Sequence, residues 1–204
     1  LINPQNPQHR IEAITAENKD NYPIDFIGAL AYDSINNGMW IGANQGLFFY
    51  DLKHKQLCSP FANRAAEDIR GCIGSIIDKN GQLWIGCLDG VYIIDLHSRP
   101  ASSSDGVFRY RHLKYKLDDP SSGLIEKICC FYEAQDGILW LGSNGYGIYK
   151  CMQDERGEVQ FICYNSLHGL PDNSIRGILE DDKGYIWIAT NNGLSRFQPT
   201  ENHF

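Results

Sequence analysis

The chain has 204 residues, 43 % hydrophobic and 21 % charged, proportions of a globular protein and too apolar for a disordered one. Lys plus Arg number 18 against 25 Asp plus Glu, and the resulting −7 argues against nucleic acid or an anionic membrane surface as partner. No run approaches the ~18 consecutive apolar residues of a membrane-spanning helix.

In chain order, the first strand-like run is HRIEAITA (9–16), which stands outside any repeat. Four similar units follow. Each opens on an apolar run that ends at or near an acid: IGALAYD, IGSIIDK, ICCFYEA and RGILEDD. A short Asp/Gly turn leads into a second strand centred on Trp: NGMWIGANQGLFFY, NGQLWIGCLDGVYII, DGILWLGSNGYGIYK and KGYIWIATNNGLSRF. A third alternating run follows the Gly after the Trp, and a fourth appears in three units as KQLCSPF, VFRYRHLKY and VQFICYN. Turn residues separate these runs, and no 3.6-residue period is long enough for a helix.

The tryptophans at 40, 84, 140 and 187 lie 44, 56 and 47 residues apart, and a small residue (Gly42, Gly86, Gly142, Ala189) stands two places after each. Four antiparallel strands recurring at this spacing predict an all-β fold of β-propeller blades. The predicted blades span about 25–61, 69–116, 124–165 and 174–204, and polar insertion 97–106 accounts for the longest spacing. Ala29, Gly74, Cys130 and Gly177 align in the first strands, as crowding near a propeller axis demands. The Trp column reads as packing between blades rather than as a ligand cage. Blade four lacks an outer strand, so residues 9–16 either complete it, closing a four-bladed ring, or belong to a preceding blade of a larger, seven-bladed-type propeller. The second is preferred: the chain opens on Leu1 without a leader and reads as an excised segment.

These repeats resemble the two-component regulator propeller family, most closely in ILEDDKGYIWIATNNGLSRF preceded by HGLPDNSI. The resemblance spans about 25–198; Ala189 in place of Gly, the extra residue of the third hairpin, and Ala43, Cys87 and Ser143 in place of Thr depart from the pattern. It implies the periplasmic sensor region of a membrane-bound hybrid histidine kinase, responding to oligosaccharides and working as a homodimer. The membrane enters only through the parent's transmembrane helix, and further blades or domains of the parent are the neighbours. The seven cysteines (58, 72, 87, 129, 130, 151, 163) form no CxxC, read as buried free thiols, and point mildly to a reducing compartment instead.

No GxSxG, HExxH or Walker-type motif is present, so no catalytic residue, metal or cofactor is expected. The acids ending the first strands (Asp33, Asp78, Glu133 or a neighbour, Asp181) read as turn formers. In a propeller, the entries to the inner strands and the loops between second and third strands share one face. That face collects Asp25, Arg70, Glu126 and Asn173 with Lys127 and Arg176, and Asn44, Asp89, Asn144, Tyr146 and Asn191. Amides and charges there suit a hydroxyl-rich ligand, and a Tyr146 ring would stack on a sugar. Two other classes remain: a propeller lyase or hydrolase, for which His168 is the one plausible starting residue, and a protein-interaction scaffold.

Overall fold

The computed structural model describes residues 24, 26–58, 60–61, 69–98, 108–114, 126–153 and 158–199. The expected run 9–16, Asp25 and most of insertion 97–106 lie outside the described residues. Four antiparallel sheets follow one another. The first holds β1 (Ile27–Asp33), β2 (Gly38–Ala43), β3 (Leu47–Asp51) and β4 (Gln56–Cys58). The second holds β5 (Gly74–Ile77), β6 (Gln82–Cys87), β7 (Gly90–Asp95) and β8 (Arg109–Leu113). The third holds β9 (Ile128–Glu133), β10 (Leu139–Ser143), β11 (Ile148–Gln153) and β12 (Val159–Tyr164). The fourth has three strands among the described residues, β13 (Ile175–Glu180), β14 (Ile186–Thr190) and β15 (Gly193–Phe197). The only helical elements among them are two 3-10 turns, Leu96–Ser98 and Ser166–His168.

Each sheet is a propeller blade, and its sequence columns have distinct tasks. Before every Trp strand the chain turns through the left-handed region at Asn37, Gly81, Gly137 and Gly184, always three residues ahead of the Trp. Glycine enters that region without a Cβ penalty and Asn is among the few side chains that tolerate it, which explains why blade one carries Asn there. The preceding acid locks the turn. Asp78 Oδ1 accepts from the N–H groups of Asn80 and Gln82 at 3.0 and 2.8 Å, and its Oδ2 accepts from Trp84 Nε1 at 2.9 Å. Asp33 holds Trp40 and Asp181 holds Trp187 in the same way, at 3.0 and 2.7 Å. In blade three the column falls on Ala134, not on Glu133, although the backbone turn is unchanged: Ala134 and Ile138 exchange the same bond as Asp78 and Gln82.

Between blades, Trp40, Trp84 and Trp140 are buried and Trp187 is partly exposed. Trp40 packs edge-on to Phe108 at 4.9 Å and Trp140 to Phe197 at 5.4 Å, so each indole fills the seam with the following sheet. The small residues make that approach possible. Ala29, Gly74, Cys130 and Gly177 pair with Gly42, Gly86, Gly142 and Ala189. A Cβ on Gly86 would stand 2.0 Å from the carbonyl oxygen of Ile128, and one on Gly142 2.6 Å from Ile175. The inner strands pack in the order β1, β5, β9, β13, and among the described residues the arc does not close. At its fourth blade Gly177 has no atom within 4 Å of a Cβ position, while Leu179 and Leu194 are 54 % and 62 % exposed.

Candidate functional site

The hairpins and inner-strand entries meet on one face, as their backbone bonds show. Gly71 N–H donates to the Asn44 carbonyl at 3.1 Å, Asn144 N–H to that of Lys127 at 2.9 Å, and Gly147 N–H to that of Asn173 at 2.8 Å. The entry is bent: Phe26, Gly71 and Lys127, one column in three blades, all have left-handed φ of 45°, 62° and 53°. A left-handed Phe or Lys is strained, a state that persists only where the surroundings over-determine it.

The expected polar residues divide between two junctions. Between blades one and two, Asn44, Arg70 and Asp89 line a groove of about 360 Å3 with Gly71 and Leu88. The Asp89 carboxylate is positioned from behind: Tyr92, buried in β7, donates its hydroxyl to Oδ2 at 3.3 Å, and His112 Nε2 lies 3.5 Å from the same oxygen. Burial and the Asp89 charge push the Tyr92 phenol above its ordinary range, and burial holds His112 below its own, outweighing Asp89.

Between blades three and four the corresponding polar groups bond within the protein. A backbone bridge joins Asn144 to Ser174, and the Asn173 side chain accepts from Ser166 N–H at 2.7 Å. Arg176 Nε donates to Asn191 Oδ1 at 2.6 Å. The Lys127 ammonium lies 5.8 Å from the Tyr146 ring centroid, and that ring packs partly buried on the core, so its face is not an open platform. Glu126 stands near enough to Tyr149 to raise its phenol further, behind burial as the main cause.

His168, the residue on which an enzyme reading would start, caps a 3-10 turn, with Nδ1 3.2 Å from Asn165 N. His112 lies on the outer strand expected from VFRYRHLKY, and the contact missed there is its stacking on Tyr92 at 3.9 Å. The register of the outer strand sets Tyr92 opposite His112 across insertion 97–106, a pairing the sequence does not display. All seven cysteines are free thiols, and Cys72 and Cys87 bring their sulfurs within 3.6 Å in the interior of blade two.

Residues 169–192 match the two-component regulator propeller family. Within this stretch, the Trp187 indole holds the Asp181 carboxyl below the usual carboxylate range, the main cause ahead of the turn N–H groups. Among solved structures, the chain superposes on PorZ, a surface component of the type-IX secretion system of Porphyromonas gingivalis. The TM-score is 0.59 at 17 % identity, over 86 % of this chain and 26 % of that one. The extracellular domain of a hybrid two component system of B. thetaiotaomicron gives 0.47 at 19 % identity, over 84 % and 27 %. The virginiamycin B lyase of Staphylococcus aureus gives 0.49 at 16 %, over 84 % and 55 %. The chain thus spans less than a third of the first two, and the PorZ likeness is one of fold. No curated protein sequence matches it.

Proposed function

We propose that this chain is the non-enzymatic, ligand-recognising propeller of a hybrid two-component histidine kinase, facing the periplasm and responding to an oligosaccharide. The regulator-propeller match at 169–192 is the observation that carries this reading. The open groove of Asn44, Arg70 and Asp89 supports it, offering an amide, a guanidinium and a carboxylate to hydroxyl groups. Blades of about 25–61, 69–116, 124–165 and 174–204 would join further blades of the parent, and ligand binding would shift the arrangement of a homodimer by favouring one of two states. Among the described residues no helix is long and apolar enough to cross a membrane, so the anchor would lie elsewhere in the parent.

The experiment is autophosphorylation of the full-length protein in membranes, titrated with a panel of neutral and acidic oligosaccharides. One panel member should change the rate saturably, and Arg70→Gln with Asp89→Asn should weaken that response at least tenfold. A flat response to every sugar, together with tight capture of a protein partner, would overturn the reading in favour of a scaffold.

A further inference from the structure

Blade two departs from the other three at one pair of positions. Two residues before the small residue of the first strand, blades one, three and four carry Ile27, Ile128 and Ile175. One residue after the small residue of the Trp strand, the same blades carry Ala43, Ser143 and Thr190. The two positions are cross-strand partners: Ile27 lies opposite Ala43, Ile128 opposite Ser143 and Ile175 opposite Thr190. In blade two both are cysteine, Cys72 and Cys87, and no other blade has cysteine at either. The two replacements therefore fall together, on sites that face each other.

Their geometry suits a covalent bond. Both residues are fully buried, and the two Sγ atoms are 3.6 Å apart. Ile73 N–H donates to the Gly86 carbonyl at 2.9 Å, which fixes the two strands beside the pair. A disulfide needs the sulfurs at ~2.05 Å, a further approach of about 1.5 Å between side chains already in contact. The neighbours decide what such a bond would hold. Arg70 and Gly71, just before Cys72, and Leu88 and Asp89, just after Cys87, line the groove between blades one and two. Gly71 is the glycine of the left-handed entry column, where blades one and three carry Phe26 and Lys127, so this wall has the most backbone freedom to lose.

We propose that Cys72 and Cys87 are a disulfide-forming pair whose bond fastens the two walls of the groove to one another. The bond is made by exchange with a disulfide donor, either a small disulfide or a dithiol oxidoreductase. One cysteine thiolate attacks the donor and displaces its first thiol, and the second cysteine thiolate attacks the mixed disulfide and displaces the other. Two electrons and two protons pass from the pair to the donor, which leaves as two thiols. In the packed blade the Cys72 thiol and burial push the Cys87 thiol far above its ordinary range. Thiolate is scarce there, so exchange takes place before the blade packs or while it is open, and the finished bond is shielded from reductants in the same way. The proposal takes only an oxidising compartment from the sensor reading.

The test uses the full-length protein isolated without reductant, its free thiols alkylated in denaturant before digestion with trypsin. Lys79 lies between the two cysteines, so peptides 71–79 and 80–109 should be recovered joined, and apart after dithiothreitol. A second sample, reduced and then equilibrated with oxidised glutathione in moderate urea, should regain the link. Amide hydrogen exchange at 70–73 and 86–89 should be at least tenfold faster in the reduced protein than in the linked one. C72I/C87T, which installs the pair found in blade four, should fold, and its exchange should not respond to dithiothreitol. A link that is absent on isolation but regained in glutathione supports the pair and counts against the periplasmic placement instead. Separate peptides in both samples, joining of either cysteine to a different one in comparable yield, or exchange unchanged by reduction would each overturn the inference.

Discussion

Glu133 at the end of β9 accepts a hydrogen bond from the backbone N–H of Lys79, 3.0 Å away across the seam between blades two and three. Lys79 answers with its ammonium, which donates to the Ala134 carbonyl at 3.0 Å. One blade on, Glu180 accepts from Gln135 N–H at 2.8 Å. The residue just before the acid column therefore ties each of these blades to the turn of the blade before it. At the seam between blades one and two the same position is Ile77, which has no acceptor to offer.

The two glutamate ties are solvent-exposed, so each contributes at the lower end of a hydrogen bond's net value, about 0.5–1 kcal/mol. Glu133→Ala should lower the melting temperature by about 1–4 °C, for a shift of roughly 2–4 °C per kcal/mol in a domain of this size. Glu133→Ala and Glu180→Ala act at separate seams and should add in the double variant. Scanning calorimetry checks both, and a null effect of Glu133→Ala would make the contact incidental.

The acid column itself is worth more. Asp78 is nearly buried and is the acceptor for the Trp84 indole, which is itself buried. Asp78→Ala leaves that N–H and two turn N–H groups without their acceptor and should cost about 1–3 kcal/mol. Asp78→Asn keeps an oxygen and should cost less. The converse variant is Ala134→Asp, on a backbone turn that already matches the other blades, and it should raise stability rather than lower it. Urea denaturation ranks the three, and a destabilised Ala134→Asp would show that blade three has adapted to the missing acid.

Repetition made much of this fold legible in the sequence. Four aligned copies expose a small-residue column, a Trp column and a turn acid even when no single copy is decisive. Blade three shows where alignment by residue type misleads: Glu133 looks like the column acid, yet the strand register hands that place to Ala134 and turns Glu133 to the neighbouring blade. The candidate groove was legible only as a list. Arg70, Asn44 and Asp89 were on it, but so were Asn173 and Arg176, which the backbone and Asn191 occupy. His112 stayed hidden because its role depends on cross-strand pairing over an insertion.

The open fourth blade makes a contrast that two alanine substitutions measure. On Gly74 a Cβ would meet the Cys129 carbonyl oxygen at 2.5 Å, a backbone atom that cannot step aside. On Gly177, its counterpart in the column, a Cβ meets nothing within 4 Å. Gly74→Ala should therefore destabilise by about 1–3 kcal/mol, as overpacking does. Gly177→Ala, at negative φ, should be neutral or stabilise by about 0.4–1 kcal/mol through the unfolded chain. Denaturant midpoints of the two variants of this chain decide it, and equal losses would mean that the fourth inner strand is as crowded as the second.

His112 gives the chain a directional response to pH. Burial among Tyr92 and the strand holds its folded pKa below the unfolded value, and Lys114 adds to this, while Asp89 opposes without prevailing. With an unfolded pKa of about 6.5, the unfolded chain takes up the proton first. The stabilising contribution is whole above that pH and declines as pH falls through it toward the folded pKa. Melting temperature should thus fall between pH 7.5 and pH 5.5 by more in the native chain than in His112→Phe, which keeps a ring on Tyr92 and cannot take up the proton. The same acidification moves a positive charge toward Asp89 Oδ2, 3.5 Å from His112 Nε2, so any ligand that relies on the Asp89 carboxylate should bind more weakly at the lower pH. His112→Phe should remove that dependence while preserving binding at pH 7.5. Parallel melting curves for the two proteins across the range would assign the proton to another group.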